Sequence, residues 1–147
     1  MKKLLFTFGL LIASLSFIAC SDDDDDKKIT FEEIPTISQT FIQTHFAGQE
    51  VRLVERDNDS YDVYLKNGFE VEFTLTGEWD DVDGKTQAVP QSVLDLIPAK
   101  ILDYVAANYD GQSIYEVNKE PFGYEIELSS RVELEFDAEV EFLRIDR

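Results

Sequence analysis

The sequence predicts an α+β fold, built as two tandem units that each place one helix against a four-stranded antiparallel sheet, with the helices on one face. Three observations carry this. The first is the stretch Tyr61–Leu75, YDVYLKNGFEVEFTL, which alternates apolar and polar residues on either side of a turn. The second is its recurrence from Tyr124, 63 residues later. The third is a helical stripe followed by glycine ahead of each copy, ending at Gly48 and at Gly111.

Parity decides the turn of the first hairpin. A two-residue loop, Asn67-Gly68, would pair Leu65 with Glu70 and mix apolar and acidic side chains on one face. A three-residue loop, Lys66-Asn67-Gly68, pairs Leu65 with Phe69, Val63 with Val71 and Tyr61 with Phe73, and puts Gly68 where left-handed backbone is needed. The same register sets Asp62 opposite Glu72 and Tyr64 opposite Glu70 on the outer face. In the second copy it sets Glu125 opposite Glu135 and Glu127 opposite Glu133. Like charges facing each other across a ladder are mildly destabilising. Tyr64, Glu70, Glu72, Glu125, Glu127, Glu133 and Glu135 are therefore the candidate binding face, open to water or to something positive.

Taken in order, residues 1–19 form a signal peptide: a basic start at Lys2 and Lys3, an apolar core from Leu4 to Ile18 too short for a membrane span, and a small residue before Cys20. Phe17-Ile18-Ala19-Cys20 resembles a bacterial lipobox, which implies cleavage before Cys20 and its acylation. Residues 20–29 then read as a lipidated acidic tether, Ser21 followed by Asp22 to Asp26. Serine followed by acids after a lipidated cysteine resembles a lipoprotein surface-export signal, which implies an outer-membrane lipoprotein facing the cell surface or the periplasm. The membrane is then touched through the anchor alone.

The first unit, residues 30–84, opens with capping-box spacing at Thr30 and Glu33, Pro35 in a first helical turn, and a core stripe of Ile34, Ile37, Phe41, Ile42 and Phe46. Val51–Arg56 is a strand, the hairpin follows, and Trp79–Val82 is a fourth strand with Trp79 in the core. The second unit, residues 85–147, has a helical stretch from Val89-Pro90, a main helix after Pro98 carrying Ile101, Leu102, Val105 and Tyr109, and strands near 113–119, 124–129, 132–137 and 139–145. Without gaps, Ile34, Pro35, Gly48, Val54, Tyr61, Leu65 and Phe73 fall on Ile97, Pro98, Gly111, Val117, Tyr124, Leu128 and Phe136. One departure is Arg131, which falls where the first hairpin has Gly68 and predicts a loop that differs in detail.

The doubled order of Pro, helix, Gly, strand, Tyr-x-Val/Ile-x-Leu and Val/Leu-x-Phe over residues 30–147 resembles the PepSY-like, β-lactamase-inhibitor-like family of secreted bacterial proteins. The resemblance implies tandem α/β units, no enzymatic chemistry, no catalytic residues and a binding or inhibitory role.

Charge and composition agree with a binding protein. The chain of 147 residues has a net charge of −18, and loss of a leader whose only charges are Lys2 and Lys3 leaves −20. Nucleic acid would repel such a surface. One cysteine and one histidine, Cys20 and His45, leave no intrachain disulfide and no Cys–His pair for nucleophilic or zinc chemistry. Asp57-Asn58-Asp59 and Asp80-Asp81-Val82-Asp83-Gly84 cluster oxygen ligands without EF-hand spacing, and read as polar turns. The expected function is a non-catalytic envelope lipoprotein, with no cofactor, whose partner is a protein or peptide with a basic patch. The alternative is a calcium- or cation-binding envelope protein.

Overall fold

Each strand of the molecule gives one apolar side chain to a common row, and strand register joins these side chains across the whole sheet. The computed structural model describes residues 27–146. Its strands are β1 (Lys27–Ile29), β2 (Val51–Arg56), β3 (Ser60–Leu65), β4 (Glu70–Thr74), β5 (Trp79–Asp83), β6 (Ile114–Glu120), β7 (Gly123–Leu128), β8 (Glu133–Asp137) and β9 (Phe142–Asp146). They form one nine-stranded antiparallel sheet in simple sequence order. The row runs Ile29, Val54, Val63, Val71, Val82, Val117, Ile126, Leu134, Ile145, each facing the next. The leader, Cys20 and Ser21–Asp26 lie outside the described residues.

The helices α1 (Thr36–His45), α2 (Gln91–Leu94) and α3 (Ala99–Asn108) all cover the face that carries this row. Phe41 of α1 meets Phe73 edge to face with ring centroids 5.6 Å apart, and Tyr104 of α3 meets Phe136 in the same way at 5.4 Å. Ile34, Ile42, Phe46, Ile97, Ile101 and Val105 bury against the strands in one continuous core.

The two hairpins share the predicted geometry. Leu65 N–H donates to Phe69 O at 2.8 Å, and Leu128 N–H to Val132 O at 2.9 Å. Gly68 has φ +101°, the left-handed backbone that its loop demands. Arg131 adopts the same region at φ +64° and donates to Leu128 O at 2.8 Å, so the second loop keeps the three-residue form, contrary to the expectation from its side chain. Pairing on both flanks imposes the turn, and an ion pair between Arg131 and Glu127 accompanies it.

Several local expectations are corrected. Lys27–Ile29 is not tether but strand β1, paired with Val54–Arg56, so the sheet has nine strands rather than eight. The Thr30–Glu33 pair caps a separate 3-10 turn (Phe31–Glu33), Thr30 N–H donating to Glu33 Oε2 at 2.7 Å. Pro35 caps α1 instead of lying in its first turn. Ile37 is 56% exposed and Ser38 is fully buried in its stead, donating through Oγ to Gly77 O at 2.9 Å. The β4–β5 turn rises so close to α1 that a Cβ on Gly77 would lie 2.5 Å from Ile37 Cγ2. Only a small side chain fits between helix and turn there. Trp79 is half-buried at the rim of the core, and the expected fourth strand runs one residue past Val82 to Asp83, so the polar-turn reading does not hold for Asp80–Asp83.

Phe73 is completely buried, so Phe73→Ala is expected to cost roughly 3–5 kcal/mol, whereas Ile37→Ala should cost under about 1 kcal/mol. Urea unfolding midpoints measure both.

Candidate functional site

Alternation decides what lies opposite the helices. Every neighbour in sequence of a row residue points to the uncovered face, and there the chain is overwhelmingly acidic. One line of facing residues runs Tyr64, Glu70, Asp83, Glu116, Glu127, Glu133. The line beside it runs Glu55, Asp62, Glu72, Asp81, Asn118, Glu125, Glu135, Arg144. All seven residues expected on this face are there. Strand β5 brings Asp81 and Asp83 between the two glutamate hairpins, and β6 brings Glu116.

Glu116 was not singled out from sequence, and Asp81 and Asp83 were named there only as clustered oxygen ligands in a polar turn, not as part of this face. The Asp80–Gly84 run looked like a turn, and Glu116 is separated from the hairpin pattern. Their signal lay in Val82 and Val117: once these are inward, Asp81, Asp83 and Glu116 must face outward.

The carboxylates are not uniformly open. Glu70, Glu72, Glu125, Glu127 and Glu133 are half-buried, and Glu135 is only 6% exposed, which corrects the picture of a fully solvated face. Glu135 Oε1 accepts from Arg144 Nε at 2.8 Å and Nη2 at 2.6 Å. Arg131 pairs with Glu127, and Lys85 bridges Asp83 and Glu70, the latter at 2.9 Å. Burial works against the Lys85 charge, but its hydrogen bonds to Asp83 and Glu70 outweigh this and raise its pKa.

Compensation is poorest at Asp81. Asp81 Oδ1 is buried and has no hydrogen-bond partner among the described residues. Burial, followed by the charges of Glu116, Asp83, Glu72 and Glu70, pushes the Asp81 carboxyl up to about 8. Burial and then Asp83, Glu127 and Glu125 push Glu116 up to about 7. Burial and nearby acids raise Glu72 as well. Tyr64 is pushed up to about 12, by burial and then by Glu70, Asp62 and Glu55. Arg52 sits over its ring, 5.3 Å from the centroid.

A second concavity opens on the helix side, a cleft of about 420 Å³ between α1 and the β5–β6 seam. Phe41 and Trp79 stack in it with centroids 5.8 Å apart, and Lys119 Nζ lies 3.5 Å from the centre of the Trp79 ring. His45 lines the cleft, its pKa lowered by burial, with Nδ1 buried and without a partner among the described residues. Glu78 also lines the cleft.

The family model described as "Putative beta-lactamase-inhibitor-like, PepSY-like" matches the chain twice, over residues 23–63 and 59–144. The chain belongs to the PepSY-like family. Among solved structures it is similar to a "putative calcium-regulated periplasmic protein" of Bacteroides thetaiotaomicron, with 38% identity and a TM-score of 0.78 over 84% of this chain and 98% of that one. A "putative periplasmic protein" of Bacteroides vulgatus has 36% identity and a TM-score of 0.78, over 85% of this chain and 99% of that one. No curated protein matches.

Asp81 and Glu116 of this PepSY-like chain hold their protons to higher pH in the fold than in the unfolded chain. Their contribution is complete below the ordinary carboxylate range and is lost as pH rises through about 7 and about 8. The melting temperature should therefore rise as pH is lowered from about 8.5 to 5.5. Asp81→Asn should raise it at pH 8.5 by on the order of 3–6 °C and flatten the profile. Calorimetry across pH checks both.

Proposed function

We propose that this chain is a non-catalytic envelope lipoprotein, built from two PepSY-like units, that docks or inhibits a protein or peptide through a basic patch. The observation that carries this reading is the pair of cross-strand carboxylate lines, least compensated at Asp81 and Glu116. A cationic surface laid on them would replace like-charge repulsion with attraction. It would also draw those two carboxyls back to their ionised form. Steering by such a face speeds encounter and weakens with salt. The envelope address is supported by the leader and by the periplasmic description of the similar structures. Acylation of Cys20 and placement at the outer membrane complete the proposal.

Calcium is the second reading, favoured by the description of one similar protein as calcium-regulated. Asp81, Asp83 and Glu116 would be the nearest carboxylates to supply oxygen ligands. No group of three or more His, Cys, Asp and Glu side chains among the described residues is arranged to hold a metal, which ranks this reading below docking.

Replacing Glu125, Glu127, Glu133 and Glu135 together with Gln should abolish recovery of the partner from an envelope extract, with recovery by the native chain falling as salt rises from about 0.05 to 0.5 M. Unchanged recovery would exclude this face. A melting-temperature shift at micromolar to low millimolar calcium would favour the cation reading instead. Metabolic labelling with palmitate should mark the native chain and leave Cys20→Ala unlabelled.

A further inference from the structure

The two edges of the sheet are unlike. At one end β1 is three residues long and carries Lys27 and Lys28, the short, charged form that discourages pairing. At the other end β9 is five residues long and leaves Leu143 50% and Ile145 41% exposed. Among the described residues no strand lies beyond β9.

The chain itself shows what such an edge accepts. Residues of β9 follow those of β5 by 63 positions, so that Ile145 corresponds to Val82, Arg144 to Asp81 and Phe142 to Trp79. Both strands carry the same bulge, at Asp80 and at Leu143, and β5 still pairs beyond it with β6 over Asp81–Asp83. Under β6, Val82 is 0% exposed; without an equivalent neighbour, Ile145 is not covered. The aromatic beneath is poised in the same way, Phe142 stacking on Tyr104 at 4.8 Å as Trp79 does on Phe41 at 5.8 Å. Over Trp79 lies a cation, the Lys119 that β6 brings.

We infer that the outer edge of β9 takes up an antiparallel strand from another protein, one that reads apolar, acidic, basic in consecutive positions. The apolar residue faces Ile145, as Val117 faces Val82 and Val54 faces Ile29. The acidic residue faces Arg144, as Glu55 faces Lys28 in the corresponding place on β1. The basic residue, one further on, stands over Phe142 as Lys119 stands over Trp79. Backbone hydrogen bonds supply affinity in this mode and the alternating side chains supply selectivity. A second copy is the less suitable occupant, because pairing β9 to β9 would extend two strongly acidic faces side by side.

The segment Gln49–Asp57, QEVRLVERD, has the required order at Val54-Glu55-Arg56 and a net charge of −1, so the acidic face does not attract it. A synthetic peptide of this sequence is titrated into the chain by calorimetry, with amide hydrogen exchange followed by NMR. The expected result is saturable one-to-one binding with slowed exchange confined to Phe142–Asp146. Peptides carrying Val54→Asp or Glu55→Lys should bind at least tenfold more weakly. Ile145→Lys in the chain should also abolish binding while the rest of the sheet keeps its protection. Equal binding of all three peptides, protection elsewhere, or no binding at millimolar peptide overturns the inference. So does a concentration-dependent dimer that protects β9 without peptide. The docking face can fail its own test without affecting this one, since none of its seven residues lies on β9.

Discussion

The apolar row from Ile29 to Ile145 is the constraint from which the rest of the molecule follows. Seven of its nine members, Val54 to Leu134, are buried to 2% exposure or less, and each such side chain is worth roughly 1.5–3 kcal/mol. A one-residue slip at any strand would turn that strand's contribution out to water. Register is therefore held firmly, and with it the positions of the residues between. Facing carboxylates cost only tenths of a kcal/mol to about 1 kcal/mol per pair. Burial wins, and the acids are carried into two lines whether or not they repel.

Repulsion is eased unevenly. Arg144 pairs with Glu135 toward the β9 end of the face, Arg131 with Glu127, and Lys85 with Glu70 and Asp83 near its centre. The centre has Asn118 as its neutral member, between Asp81 and Glu125. The protonation held there to near neutral pH is the molecule's own partial remedy. A cationic partner would be a fuller one, acting on the central carboxylates together with the glutamate hairpins that flank them. The aromatic cleft beneath α1 is a by-product of the same seam: β6 closes over β5 there and brings Lys119 onto Trp79.

Much of this was legible in the sequence. Hairpin register, the acidic pairings and the glycine-terminated helices all follow from period-two and period-3.6 patterns that tertiary packing did not override. The misses have physical causes. Strand β1 is three residues long and too short to show a period, and Lys27-Lys28 looks like the end of a tether. Ile37 fits a helical stripe, but the close approach of Gly77 gives the inward place to Ser38. Asp81 and Asp83 were not placed on the open face because the bulge at Asp80 breaks the alternation of β5. Arg131 shows that two paired strands can impose a left-handed residue that local preference would refuse.

The claim that register forces acids together at the centre of the open face is tested most directly by NMR titration of the side-chain carboxyl carbons of Asp81 and Glu116. Midpoints near 8 and near 7 are predicted, moving downward when a cationic partner is bound. Midpoints near 4 for both residues, in the ordinary range of exposed carboxylates, would contradict the account.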